Sequence, residues 1–317
     1  MKRFAFLLAA LVASASAAAF PDRPITLVVP YPPGGATDVI GRIVAKGMAQ
    51  RLGQPVVVDN KAGAGTAIGA TAVAQAAADG YALLISSNTT FTVTPALRPK
   101  LAFDPQKSFE SIGLIGTSPL VLLANPSVPA ANVKEVVALA KARPAKLAYG
   151  SFGSGTTSHF AGEMFKLVSG ADLLHVPYKG SAPAMTDLIA GQVQFTFDTN
   201  VAALPMLQAG RVKAIAVTSL QRSPSLPNVP TIAESGYPDF EMVPWIAVVA
   251  PRGLPQPVQK ALSKALIDTL ADPVIRDSLQ KAGLDVAYQP GSVYDTKVAR
   301  ELPQLRAYVH KAKIQAD

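Results

Sequence analysis

The chain alternates short β-branched apolar runs with segments of helical periodicity. Ile25–Val29 is a continuous apolar run of strand length. The segment after it places Val39, Ile43 and Met48 near helical spacing and stops at Gly53. In this first set the pattern predicts strands at 25–29, 56–58 and 81–86, and helices at 37–52 and 66–78. Strand–helix–strand units of this kind close into a parallel sheet through right-handed crossovers.

The same alternation restarts near residue 120. It predicts strands at 120–124, 147–150, 173–178, 193–197, 212–218 and 245–249, and helices at 133–142, 156–169, 182–190 and 201–208. A proline-rich loop is expected at 223–230, then a helix with one apolar face (Val258, Leu262, Leu266, Leu270), and a terminal helix at 293–310 interrupted by Pro303. Two such sets predict an α/β protein with two lobes. Periodicity alone does not assign the C-terminal helices to either lobe.

The N-terminus has the three parts of a secretory signal peptide. Lys2 and Arg3 are followed by the apolar run Phe4–Ala13, and small residues follow up to Ala19. An apolar core of about ten residues is too short to span a membrane, for which about 20 are needed. We therefore assign residues 1–19 to a signal peptide and the mature chain to the periplasm. The chain has no cysteine, so its fold rests on its core and not on disulfides.

Composition describes an ordered globular protein and argues against nucleic-acid binding. Hydrophobic residues make up 49% of the chain and charged residues 16%. The formal net charge is +8, but the basic residues are scattered and form no recognised nucleic-acid motif. Such a mild positive charge favours anionic solutes or serves only solubility.

Two glycine-rich loops join a strand to a helix, one in each half of the chain. A helix start carries unpaired N–H groups and a partial positive charge, and glycine lets a ligand approach the backbone. Both loops are therefore candidate anion sites, although they could also be ordinary capped turns. The candidate residues are Tyr31, Gly34, Gly35, Ala36, Thr37 and Asp38 in the first loop, and Phe152, Ser154, Gly155 and Thr156 in the second.

Polar residues at other strand ends extend this candidate site. They are Ser87, Asn88, Thr89, Tyr178 and Asp198. Asp198 ends an apolar strand, where an unpaired carboxylate is costly. It therefore either forms an ion pair with Lys179 or accepts a hydrogen bond from a ligand hydroxyl or amine.

Enzyme, nucleotide and metal sites are not supported. Ser154 lacks the G-x-S-x-G arrangement, and Gly63, Gly65 and Gly69 do not have dinucleotide-loop spacing. Three histidines without a metal-binding motif predict no metal site. We expect no catalytic residue and no cofactor.

The loop motifs resemble those of Bug-type receptors, the extracytoplasmic substrate-binding proteins of tripartite tricarboxylate transporters. The resemblance runs from Phe20 to the C-terminus. Its landmarks are Phe20-Pro-Asp-Arg-Pro-Ile25, Pro33-Gly-Gly-Ala-Thr-Asp38, Asn60-Lys-Ala-Gly-Ala-Gly65, Gly150-Ser-Phe-Gly-Ser-Gly-Thr156 with His159, and Val176-Pro-Tyr-Lys-Gly180. Two departures, Thr66 in place of the family's glycine and Phe160 in place of leucine, leave both loops intact.

The resemblance implies a periplasmic-binding-protein (Venus flytrap) fold, each lobe a mostly parallel sheet flanked by helices. Residues 20–120 and 250–317 would form the first lobe and 121–249 the second. A small carboxylate (a di- or tricarboxylate, an amino acid or an aromatic acid) would lie between the lobes, partly held through water. The partners would be transporter membrane subunits and the receptor a monomer. A sensor for a signalling partner and a secreted hydrolase remain as alternatives.

We expect the signal peptide to be removed during export, because its charged, apolar and small-residue parts follow in the required order. The intact mass of protein from a periplasmic fraction should correspond to a start at Ala18 or Phe20. A full-length product confined to the cytosol would contradict this prediction.

Overall fold

The computed structural model describes residues 20–144, 146–312 and 314; the predicted signal segment 1–19 lies outside them. The strands are β1 (Ile25–Val29), β2 (Val56–Asn60), β3 (Ala82–Ser87), β4 (Phe109–Thr117), β5 (Leu120–Ala124), β6 (Ala148–Ser151), β7 (Leu174–Pro177), β8 (Phe195–Thr199), β9 (Lys213–Val217), β10 (Trp245–Pro251) and β11 (Asp285–Gln289). The helices are α1 (Ala36–Leu52), α2 (Ala67–Ala74), α3 (Thr94–Leu97), α4 (Val133–Ala142), α5 (Thr157–Ser169), α6 (Ser181–Ile189), α7 (Asn200–Gln208), α8 (Gln256–Ala271), α9 (Pro273–Lys281) and α10 (Gly291–Ala312). Short 3₁₀ and π turns occupy Ala64–Thr66 and Thr89–Val93.

The strands form two mixed sheets, one in each lobe. The first has the order β11-β4-β10-β3-β1-β2 and the second β7-β6-β8-β5-β9. In the first, β1 runs parallel to β2 and β3, while β10 runs antiparallel to β3 and β4. In the second, β6 runs parallel to β7 and β8, while β5 runs antiparallel to β8 and β9. Four strands of each sheet therefore share one direction.

The reversed strands β5 and β10 follow the two crossovers between the lobes. A chain that crosses from one lobe enters the next lobe on the side that faces the first. Its first strand in the new lobe therefore runs away from the gap between the lobes. The two crossovers lie side by side, since the N–H of Ser118 donates to the carbonyl of Pro244 at 2.9 Å. The strands with the common direction therefore point their carboxyl ends at the opposite lobe.

Each sheet buries apolar side chains on both faces, as period-two alternation requires. In β1, Leu27 and Val29 pack with the apolar faces of α1 and α8, while Val28 packs with α2 on the other face. In the second lobe, Phe195 and Phe197 pack with α5, while Val121 and Leu123 of β5 pack with α6 and α7. Both lobes are thus three-layered α/β units.

Helix α10 contacts both lobes and continues through Pro303. Tyr294 and Val298 are fully buried in the core of the first lobe, whereas Leu305 and Tyr308 pack against the core of the second. The prediction that Pro303 interrupts this helix was wrong, since the helix runs from Gly291 to Ala312. Packing on both sides of the proline supports the helix where its hydrogen bond is missing.

The second crossover precedes Trp245. The whole of β10 pairs within the first sheet, so the expected lobe boundary near residue 249 cuts this strand. We propose that the boundary lies near Pro244 instead. Trp245 is anchored in the first lobe, where its ring stacks on Phe91 at 5.8 Å and its indole N–H donates to Glu301 at 2.8 Å.

Gly162 in α5 is predicted to tolerate no side chain, because the buried ring of Tyr149 lies against it. A Cβ at this position would lie 2.1 Å from Cε2 of Tyr149. We expect Gly162→Ala to lower the free energy of unfolding by about 1–3 kcal/mol despite the higher helix propensity of alanine. Urea unfolding should show this loss. Leu167→Ala, at an exposed position of the same helix, serves as the control and should change stability by about 0.5 kcal/mol or less; equal stability of the two variants would contradict the prediction.

Candidate functional site

A cleft between the lobes contains about 690 Å³ of empty space, part of it open to solvent. The first lobe contributes Tyr31, Pro32, Pro33, Gly35, Ala36, Thr37, Ser87 and Ile246 to its wall. The second contributes Phe152, Thr157, Lys179, Gly180, Ser181, Ala182, Pro183, Asp198 and Thr199, and the crossovers add Ser118 and Pro244. The cleft therefore lies where the common-direction strands of both sheets end, which is the usual ligand position in α/β proteins.

The first glycine-rich loop is organised by Asp38, which does not line the cleft. Its carboxylate accepts the N–H of Gly34 at 2.9 Å, the Arg42 guanidinium at 3.0 Å and the Asn60 amide at 2.9 Å. Burial raises the pKa of Asp38, but the hydrogen bonds from Arg42, Gly34 and Asn60 outweigh it and hold the pKa below its ordinary value. Asp38 and the exposed Gly34, both expected at the ligand, instead shape the loop.

With the loop fixed in this way, the N-terminus of α1 lies on the cleft wall. Gly35 is the N-cap residue and no side chain caps this helix end. Gly35, Ala36 and Thr37, three of the predicted ligand residues, all line the cleft. The first N–H groups of a helix have no partner within it and carry partial positive charge. Beside them, the hydroxyls of Tyr31 and Ser87 are hydrogen-bonded at 2.8 Å.

The N-terminus of α6 faces the cleft from the second lobe. Gly180 is its N-cap residue, again without a side-chain cap, and Ser181 and Ala182 line the cleft. The α6 end lies against the first glycine-rich loop, because a Cβ on Gly180 would lie 3.3 Å from Cγ of Pro32. The sequence analysis predicted this helix at 182–190 but did not name its start among the candidate ligand residues, although the glycine before Ser-Ala-Pro, with proline in the first turn, was a signal for it.

The second glycine-rich loop uses its donors internally or across to the first lobe. The N–H of Gly155 donates to Nδ1 of His159 at 3.1 Å and the N–H of Thr156 to the carbonyl of Gly153 at 3.3 Å. The Thr156 hydroxyl caps α5 and also bonds Gly153. Of this loop, Phe152 and Thr157 reach the cleft, whereas the predicted Ser154, Gly155 and Thr156 are not part of its wall.

Asn88 and Thr89, also predicted at the ligand, lie away from the cleft wall. Thr89 is fully buried and its hydroxyl accepts the N–H of Thr157 from the second lobe at 3.3 Å. Asn88 lines a separate cavity beside the crossovers, together with Trp245 and Tyr308. Of the three polar residues predicted at the end of β3, Ser87 alone lines the ligand cleft.

Tyr178 is directed away from the cleft. Its hydroxyl donates to Asp187 at 2.7 Å, and its ring covers Gly150. Burial, together with the hydrogen bond to Asp187, raises the pKa of Tyr178 to about 12. The tyrosine therefore supports the sheet edge from which the second loop departs.

Asp198 lies on the cleft wall as a buried carboxylate. It accepts the Ser181 hydroxyl at 2.6 Å and the N–H of Thr199 at 2.8 Å. Burial raises its pKa to about 6, and these hydrogen bonds offset the effect only in part. Within the described part of the chain no ion pair joins Asp198 to Lys179, which lines the same cleft with an exposed side chain. The ion-pair alternative is therefore not what the structure shows.

Residues 20–144, 146–312 and 314 contain neither a metal-binding cluster nor a membrane-spanning helix. No cluster of three or more acidic, histidine or cysteine side chains could hold a metal ion. No helix in these ranges combines the length and apolar character that crossing a membrane requires.

Comparison with known proteins identifies consistent relatives. A family model described as tripartite tricarboxylate transporter family receptor matches residues 40–313. The solved periplasmic binding protein BugD is 39% identical, with a TM-score of 0.89 over 94% of this chain and 100% of BugD. R. palustris Rpa4515, solved with adipate, is 33% identical, with a TM-score of 0.89 over 93% and 99% of the two chains. MatC from Rhodopseudomonas palustris, solved with bound malate, is 32% identical, with a TM-score of 0.84 over 92% and 100%. The expected two-lobed periplasmic-binding-protein fold is confirmed.

The buried Asp198 predicts a distinct pH dependence of stability. Burial raises the pKa of Asp198 in the folded chain to about 6, above its value in the unfolded chain. The protonated side chain therefore contributes stability below the unfolded-state pKa, and this contribution is lost as the pH rises through about 6. The free energy of unfolding of the wild type should fall by about 2–3 kcal/mol between pH 4 and pH 7.5, and Asp198→Asn should not show this decrease. Chemical unfolding at several pH values should show a flatter profile for this variant. The surface variant Asp268→Asn should keep the wild-type profile, and an unchanged slope in Asp198→Asn would contradict the assignment.

Proposed function

The chain belongs to the tripartite tricarboxylate transporter receptor family, and on that premise we propose that it captures a small carboxylate by lobe closure and delivers it to the transporter's membrane subunits. Members of this family are substrate-binding receptors, so the chain is not an enzyme. The resemblance of its loops to Bug-type receptors is confirmed by these matches.

The observation that carries the proposal is the pair of uncapped helix ends that face each other across the cleft. The start of α1 in the first lobe and the start of α6 in the second both lie on its wall. A carboxylate between them accepts hydrogen bonds from both lobes at once. Each bond to a charged group contributes roughly 1.5–3 kcal/mol, so three or four suffice for micromolar affinity after the costs of binding are subtracted.

The charge of the wall limits the ligand to a small number of carboxylates. Among the described residues of the wall, the charged ones are Lys179 and Asp198, which carry opposite signs. Phe152, Pro183 and Ile246 add apolar surface. Among di- and tricarboxylates, amino acids and aromatic acids, this wall favours a mono- or dicarboxylate with an apolar body. The adipate and malate in the two relatives are dicarboxylates.

Asp198 supplies a second point of recognition in this proposal. Its carboxylate accepts the hydroxyl of Ser181, the first residue of α6, and so places a hydrogen-bond acceptor in the cleft beside this helix end. Because a carboxylate repels a second carboxylate, Asp198 faces a ligand hydroxyl or amine. The acidic end of the ligand then accepts the helix N–H groups, while its hydroxyl or amine lies next to Asp198.

The setting of this binding event follows from the same premise. We place the mature chain in the periplasm after removal of residues 1–19. Both walls of the cleft come from one chain, so a monomer is sufficient to enclose the ligand. We expect no cofactor and no nucleic acid to take part.

Matched acids and amides test the recognised group. Adipate and malate should bind at least about a hundredfold more tightly than adipamide and malamide, because the neutral amides lose charge-assisted hydrogen bonds at two helix ends. Isothermal titration calorimetry at pH 7.5 measures both. Equal affinity of an acid and its amide would mean that the carboxylate is not recognised.

A substitution at Gly35 locates the site in the same assay. Its φ of −75° suits any residue, and a Cβ there meets only the Pro32 carbonyl at 3.5 Å, so the fold should persist. Gly35→Val should abolish acid binding because the branched side chain occupies the approach to the N–H groups. Gly35→Ala is the matched control and should retain part of the affinity. Full affinity in a folded Gly35→Val protein would exclude the α1 site.

A further inference from the structure

The second glycine-rich loop joins the two lobes. The Thr157 N–H donates to the Thr89 hydroxyl, and the two threonine hydroxyls are also bonded, both at 3.3 Å. The Thr94 hydroxyl reaches the carbonyl of Gly155 at 3.4 Å. We call these four residues the latch. Thr157 also lines the cleft, so the latch lies beside the ligand site.

The latch depends on one imidazole nitrogen. The N–H of Gly155 donates to Nδ1 of His159, one turn into α5, at 3.1 Å. A backbone N–H can only donate, so Nδ1 must carry a lone pair and His159 must be neutral, with its proton on Nε2. His159 is 5% exposed, so water does not readily replace this bond.

A second histidine lies beside the ring of His159. The ring of His175 stacks on it at 4.0 Å with an angle of 6° between the planes. The hydroxyl of Ser151, at the start of the same loop, bonds Nε2 of His175 at 2.7 Å and accepts the N–H of Gly153 at 3.2 Å. The stacked histidines thus contact the loop at two points: His159 at Gly155, and His175 at Ser151.

Among the described residues, the charged and titratable groups on the adjoining elements include Glu163, Lys166, Tyr149 and Tyr308. Glu163 of α5 accepts the Tyr149 hydroxyl of β6 at 2.8 Å and the Lys166 ammonium at 2.9 Å. From α10, Tyr308 packs against Phe160, next to His159 in sequence. Burial, followed by the charge of Glu163, raises the pKa of Tyr149, so this phenol stays neutral.

We propose that His159 is the positioning residue of the latch, and that its protonation releases Gly155, loosens lobe closure and weakens the hold on the carboxylate ligand in acid. In its protonated form both ring nitrogens are donors, so the Gly155 N–H faces an N–H and loses its acceptor. Histidine changes charge between pH 5 and 8. The proposal rests on the receptor function proposed above, because it assigns a regulation to that same cleft.

The first test needs no ligand. The chain has three histidines, His159, His175 and the exposed His310. In ¹⁵N-histidine NMR spectra the His159 ring should be the Nε2–H tautomer at pH 8. The Gly155 amide should shift and lose exchange protection, by about tenfold or more after correction for intrinsic rates, as His159 titrates. His159→Asn, which keeps an acceptor at the Nδ1 position, should leave Gly155 protected at every pH. His310→Asn should behave as wild type. If the shift and the exchange protection of the Gly155 amide stayed unchanged while His159 titrates, the proposal would be overturned.

The second test uses adipate as the probe at pH 7.5 and pH 5.5. Wild type and His310→Asn should bind about tenfold more weakly at pH 5.5, and His159→Asn should lose most of this difference. His159→Ala, which has no acceptor, should bind weakly at both pH values. Any dependence caused by Asp198 or by adipate itself persists in His159→Asn and is subtracted by the comparison. The same pH dependence in His159→Asn as in wild type would overturn the proposal. Absence of adipate binding at every pH would instead count against the ligand class proposed above, and the NMR result would still decide the role of His159.

Discussion

The direction of the strands is the constraint on which the cleft depends. Two crossovers at Ser118 and Pro244 reverse β5 and β10, and the four strands of each sheet that share the common direction end at the gap between the lobes. Helices that follow those strands must begin at the same gap, and each brings unpaired N–H groups and partial positive charge. Topology alone therefore places α1 and α6 face to face, before any side chain is considered. The side chains decide which of these helix ends stays available to a ligand.

The two glycine-rich loops share one geometry and differ in what holds it. In each, a glycine with left-handed backbone, Gly34 at φ 80° and Gly155 at φ 78°, donates its N–H to a side chain four residues later on the following helix. The acceptor is Asp38 in the first loop and His159 in the second. Burial raises the pKa of Asp38, but hydrogen bonds outweigh it and hold the pKa below its ordinary value, so this acceptor does not change charge in the pH range where a histidine does. An imidazole nitrogen accepts a hydrogen bond only while the ring is neutral, so the corresponding bond in the second loop depends on the protonation state of His159.

The sequence predicted the elements with strong periodicity and failed where tertiary contacts decide. The strand Phe109–Thr117 was missed because Gly113 and Gly116 weaken its pattern; they are needed because Tyr288 and Asp285 pack directly on their backbone. The short elements α9 and β11 near the C-terminus were also not predicted, because each has too few residues to show a clear hydrophobic period. At the site, the helix start at Gly35–Thr37 could be predicted from local sequence. The roles of Asp38 and Tyr178 could not, since their partners Asn60 and Asp187 are brought to them by the fold.

Neutral donors in place of a strong cation suit a receptor that must also release its ligand. A bidentate arginine pair retains its charge in the open state and continues to attract an anion there. Two helix ends on separate lobes act together only while the lobes are closed, so opening halves the number of donors at once. The buried Asp198 acts in the same sense, since an ionised carboxylate in the wall disfavours excess negative charge in the cleft. Affinity is thereby tied to closure rather than to the charge of either lobe. Whatever opens the lobes, whether contact with a membrane partner or loss of the latch, then weakens binding without any change in the groups that contact the ligand.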